Sequence, residues 1–106
     1  EQAQVLEAFP VSPFTITART YQTLEEAARA ASMWNFTIAG CDLPEDFVYE
    51  ITKLSMENND KMLDVHRSAA TSIPENIQYN TVLPFHPGAV RWYEENGYEI
   101  PEDQKL

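Results

Sequence analysis

Glycine, cysteine, histidine and basic residues are all scarce in this chain, and each shortage closes off a class of function. Three glycines, Gly40, Gly88 and Gly97, stand far apart, so no glycine-rich phosphate loop can form. Cys41 is the single cysteine and allows no internal disulfide. It follows an apolar segment and precedes a helix start, and no histidine lies near it in sequence to activate it, so a buried or half-buried structural thiol is expected. His66 and His86 are the only histidines, and no H-x₃-H or C-x-x-C spacing suggests a metal site. Lysine and arginine total 7 against 17 acids, a formal net charge of −10. No basic stripe exists to neutralise phosphates, which disfavours nucleic acid and an anionic membrane surface as partners. No run approaches the ~18 apolar residues of a membrane span, and no signal-peptide pattern is visible.

What is present describes a folded globular chain. Hydrophobic residues make up 43% and charged residues 23%, ordinary values for a domain with a core. A length of 106 residues predicts one domain with a modest core. Residues 1–8 have helical character, stopped by Pro10 and Pro13. Phe14, Ile16 and Ala18 alternate with Thr15, Thr17 and Arg19, the period of a half-buried strand. Residues 24–31 fit two readings, an Ala- and Glu-rich helix or a link into the next element. Met33 to Ala39, rich in Trp, Phe, Ile and Thr, predicts a strand.

The firmest helix begins at Pro44, with Asp42 as cap and Glu45 as its box partner. Phe47, Val48, Ile51, Leu54 and Ser55 give it an apolar stripe. Asn58, Asn59 and Asp60 interrupt it, and Lys61 to Arg67 predicts a second helical run. Ser72 to Val82 reads as irregular, with a helical turn after Pro74. The last helix has a marked start and stop. Pro87 suits the first turn, and Gly97 suits the left-handed position past the end. Ala89, Val90 and Tyr93 fall on one face, with Arg91 and Glu95 turned to water. His86 is expected to cap this helix through its ring.

Chemistry-bearing candidates are few. The carboxylate pairs Glu45-Asp46 and Glu94-Glu95 lie on helix surfaces without cause for shifted pKa values, so no catalytic residue is assigned. Arg19 and Tyr21 follow a strand end and are the better binding candidates: a guanidinium grips a carboxylate bidentately and a phenol adds a hydrogen bond. Trp34 offers a flat apolar face with a polar tip.

Four segments also share a family resemblance. Residues 84–98, with His86-Pro87-Gly88-Ala89, Arg91, Tyr93 and Gly97, resemble the ending of the TAXI-type solute-binding proteins of TRAP transporters. Asp42 to Lys53 is similar to that family's DLPEDLVYEITKAL helix. Trp34 to Ala39 resembles the strand leading into it, and Phe14 to Tyr21 resembles its TIPAGTY segment, with Arg19 where the family usually has glycine. The likeness runs over about residues 11 to 100, in the family's order.

The resemblance implies an α/β chain, the C-terminal part of a two-lobed periplasmic-binding-protein-like fold, with strands near the hinge followed by helices covering a sheet face. Residues 1–32 would form a hinge-proximal segment with a strand, and residues 33–106 a strand plus C-terminal helices. It implies a non-enzymatic, extracytoplasmic protein without cofactor or metal. Such a protein captures a small organic solute such as a dicarboxylate or glutamate and delivers it to the TRAP membrane permease. The chain would then be a piece of a longer protein or a separately encoded C-terminal piece. Alone, it is expected to self-associate as a homodimer or exchange strands, because a strand edge and an apolar face would lie uncovered. The alternative is a small self-associating interaction module without a solute site of its own.

Overall fold

Helix α1 spans Gln2–Ala8, ahead of the two prolines that stop it. Strand β1, Ser12–Ile16, then pairs antiparallel with β2, Ala28–Ser32, in a register that runs from Ser12 opposite Ser32 to Ile16 opposite Ala28. Pro13 lies inside β1, opposite Ala31. A proline is tolerated there because each strand of a two-stranded sheet has a free edge, where a missing N–H breaks no ladder. Gln2 Nε2 donates to the Ala30 carbonyl at 2.7 Å, fixing α1 to β2. The computed structural model describes residues 2–80 and 82–106; Glu1 and Thr81, which fall in the expected helix 1–8 and the irregular stretch 72–82, lie outside them.

The second strand is displaced from its expected place. Met33 to Ala39 carries the stronger strand propensity yet is irregular, while the Ala-rich residues 28–32 form β2. Pairing decides this: residues 28–32 lie in register with β1, and no strand among the described residues flanks 33–39. Trp34 Nε1 donates to Ser12 Oγ at 3.2 Å, so its ring anchors the chain beside the hairpin.

Contacts divide the chain into two units, one ending at Phe36 and one running from Thr37 to Leu106. In the second, α2 spans Glu45–Glu57 and α3 spans Asn59–Val65, followed by 3₁₀ turns at Arg67–Thr71 and Pro74–Tyr79. Helix α4 spans Pro87–Glu95, and a last 3₁₀ turn spans Glu102–Gln104. Pro44 is the residue before α2, and no side chain caps the helix. The expected Asp42 cap does not form, because Leu43 and Pro44 stand between Asp42 and the first helical residue. Asp42 instead belongs to a turn in which Leu43 N–H meets the Gly40 carbonyl at 3.1 Å. Cys41 lies in that turn and is exposed, not structural and buried as its sequence position suggested.

The core gathers where α4 lies on α2. Trp92, Tyr93 and Ile100 are buried, with Tyr49, Met56, Ile77, Phe85 and Tyr98 against them. Tyr93 is ringed edge-on by Trp92, Phe85 and Tyr98 at centroid distances of 5.2, 5.9 and 6.1 Å, the geometry that aromatic quadrupoles favour. Helix α4 thus packs on a helix; among the described residues of this unit there is no sheet for it to cover, only an isolated bridge between Phe85 and Lys105.

Gly88 makes that approach possible. A Cβ at this position would collide with the Glu45 carbonyl oxygen and lie 2.7 Å from the Tyr49 nitrogen, both backbone atoms that cannot swing away.

Candidate functional site

The turn between β1 and β2 holds the one non-glycine residue with positive φ among the described residues. Arg19 has φ +65°, the left-handed region where an L side chain is strained by roughly 1–2 kcal/mol. The strain is held by its surroundings. Arg19 N–H donates to the Leu24 carbonyl at 2.8 Å, Leu24 N–H to Tyr21 at 3.0 Å, and the Thr17 and Thr20 hydroxyls pair at 2.9 Å. Arg19, Gln22, Leu24 and Glu25 line a shallow hollow open to solvent, in which Leu24 is half-buried and the other three side chains are exposed. No carboxylate among the described residues forms an ion pair with the exposed Arg19 side chain.

The hollow offers a guanidinium, an amide, one carboxylate and an apolar wall. Tyr21 belongs to the same turn and is 63% exposed, but it does not line the hollow. Trp34, the third candidate, has its indole N–H turned to Ser12. Gln22, Leu24 and Glu25 were not singled out in the sequence. The one signal for them was a non-glycine residue at Arg19, where the related motif carries glycine, which marks a backbone turn that brings position 24 back to position 19.

The motif residues of the last helix have structural roles. His86 Nδ1 accepts the Gly88 N–H at 3.1 Å, capping α4 as expected. That bond leaves Nε2 as the protonated nitrogen, which donates to the Leu43 carbonyl at 3.2 Å and ties the lead-in of α2 to the start of α4. His66 repeats the device on a smaller scale: its Nδ1 accepts the Ser68 N–H at 3.1 Å before a 3₁₀ turn. Pro87 opens α4 and Gly97, at φ +86°, closes it.

Arg91 and Glu95 do not simply face water, because α2 lies alongside. Arg91 reaches Glu45 at 2.7 Å and Asp46 at 2.9 Å, and its guanidinium lies 4.2 Å from the centre of the Tyr49 ring. Tyr49 Oη donates to Glu95 at 2.7 Å. That hydrogen bond raises the Tyr49 pKa above its ordinary value, and the bond to Asp46 raises that of Arg91. Burial raises Tyr93, and burial with the hydrogen bond to Glu75 raises Tyr98. The Tyr49 and Arg91 shifts belong to the clamp between α2 and α4. Among the described residues, no group of three or more histidine, cysteine or acidic side chains is placed to hold a metal ion.

A family model described as NMT1-like matches residues 1–97, which takes in both the Arg19 turn and α4. The chain belongs to the NMT1-like family. This is a family of periplasmic solute-binding proteins, so a solute-binding role outside the cytoplasm is the family-level assignment for the NMT1-like chain. No curated protein and no solved structure matches it. No helix among its described residues is long and apolar enough to cross a membrane.

Proposed function

We propose that this NMT1-like chain is the C-terminal part of an extracytoplasmic solute-binding protein of the TAXI type, which passes a small organic acid or amino acid to a TRAP membrane permease. Family membership over residues 1–97 is the observation that carries the reading. The ordered likeness of four segments to TAXI-type proteins supports the finer assignment. The Arg19 hollow supports the solute class, since a guanidinium without an ion-pair partner suits the carboxylate of a dicarboxylate or of glutamate.

Such a protein catalyses no covalent step. Two lobes close on the solute, and closure is driven by the higher affinity of the closed form. Arg19 contributes a bidentate grip on the solute carboxylate and Leu24 an apolar wall. The hydrogen-bonded turn sets where the Arg19 side chain leaves the backbone, and the solute orders its guanidinium on binding.

Thermal unfolding with succinate or glutamate tests the reading. A ligand that binds only the folded chain stabilises it by about 2.7 kcal/mol at a hundred times its Kd. Stabilisation by at least one of the two solutes is expected. Arg19→Ala should abolish it, and Arg19→Lys should restore little, because a point charge does not reproduce the fork. Absence of any shift at millimolar concentrations of both solutes would count against the Arg19 site.

A further inference from the structure

Helix α2 is apolar on two opposite sides, and α4 covers only one of them. Val48, Tyr49 and Met56 turn towards α4. Phe47, Ile51 and Leu54, spaced by four and three residues, form a stripe on the far side, continued by Leu43 in the preceding turn. These four side chains are 53%, 39%, 61% and 37% exposed. A stripe of large apolar side chains outside the α2–α4 contact is a surface that a partner can cover. The charges bordering the stripe decide what covers it. Glu50 lies three residues from Phe47 and four from Leu54, and Glu57 lies three beyond Leu54; both are exposed, and neither has an ion-pair partner among the described residues. Lys53 stands further round the helix, beyond these acids. The other border, at Ser55, carries no charge.

We infer that this face docks an amphipathic protein segment whose apolar side meets Phe47, Ile51 and Leu54 and whose lysines or arginines flank Glu50 and Glu57. A second copy offers no basic residue on the stripe's other border, at Ser55, to meet Glu50 and Glu57. Antiparallel two-fold pairing along the stripe brings the two copies' Glu50 side chains to the same border, between chains that each carry −10. An anionic lipid surface meets the same acids and is repelled. A basic helix satisfies both the apolar stripe and its acidic edge, in the helix-against-helix mode of peptide recognition. The inference is independent of the Arg19 hollow.

The probe is a synthetic 18-residue amphipathic helix with a leucine stripe and lysine flanks, compared by fluorescence anisotropy with the same peptide carrying glutamate flanks. The lysine peptide should bind the 106-residue chain and the glutamate peptide should not. Phe47→Asp and Leu54→Asp should each weaken binding by about tenfold or more, although each adds a negative charge. Glu50→Gln with Glu57→Gln should weaken it several-fold and flatten its salt dependence. Circular dichroism checks that the variants stay folded, which their position outside the core leads us to expect. Four results would overturn the inference: no binding of the lysine peptide, unchanged or tighter binding by Phe47→Asp, a dimer in light scattering that the same variant abolishes, or binding to vesicles of anionic lipid.

Discussion

The two units of this chain differ in what holds them together. Every buried hydrophobic residue among those described, Val48, Ala69, Trp92, Tyr93 and Ile100, lies in the unit from Thr37 onward. The unit ending at Phe36 has none; Val5 on α1, Phe9 in the bend after it and Phe14 on β1 are 40%, 62% and 50% exposed. An isolated hairpin of this kind is marginal in water. Yet the Arg19 hollow sits on this weaker unit, as binding elements often do, because a ligand can order what packing leaves adjustable. Unit one supplies the candidate site and unit two the packed frame.

Hydrogen exchange sharpens that contrast most directly. Amides of β1 and β2 should exchange orders of magnitude faster than those of α2 and α4, and equal protection would erase the distinction. Among substitutions, Trp92→Ala should have the largest effect, destabilising the second unit by ~3–5 kcal/mol in chemical denaturation. Gly88→Ala should follow at ~1–3 kcal/mol or more, since the added methyl meets fixed backbone. A mild effect there would mean that the two helices can part without loss.

His86→Ala removes a cap and should cost ~1 kcal/mol, largely recovered by His86→Asn, whose side chain can accept the same N–H. Two left-handed positions give a smaller, opposed pair. Gly97→Ala meets open space but suffers the backbone strain, a loss of ~1 kcal/mol. Arg19→Gly relieves such strain, offset by greater freedom of the unfolded chain, and should leave stability unchanged or raise it by up to ~1 kcal/mol while solute binding disappears. A stability loss at Arg19→Gly would make that side chain structural.

The pH response is the mildest effect under ordinary conditions. The folded state holds the Tyr93 and Tyr98 phenols above their usual pKa of 10.0. Their contribution is complete below that value and is lost as pH rises through the raised folded values. Alkaline unfolding should therefore coincide with tyrosinate absorbance, and Tyr93→Phe should move the alkaline limb upward.

Local signals carried much of the second unit. Pro87 and Gly97 marked α4, the apolar spacing from Phe47 marked α2, and the position of His86 before Pro87 announced a cap; each rests on chemistry within a few residues. The site was less legible. Arg19 could be named from its type and its departure from a glycine motif, but Gln22, Leu24 and Glu25 join it only because Arg19 N–H bonds to the Leu24 carbonyl. Residues 33–39 had the composition of a strand but no neighbouring strand to pair with, and composition cannot supply one.

The sequence by itself determined the start and stop of α4, the apolar spacing of α2 and the acidic net charge, whereas α3 runs over Asn59–Val65 and not from Lys61 to Arg67. Tertiary structure alone decided which segment became β2, why residue 88 must be glycine, where Arg91 and Glu95 point, and which face of α2 stays open. Those outcomes depend on atoms far apart in sequence, and only packing brings such atoms within a few ångströms.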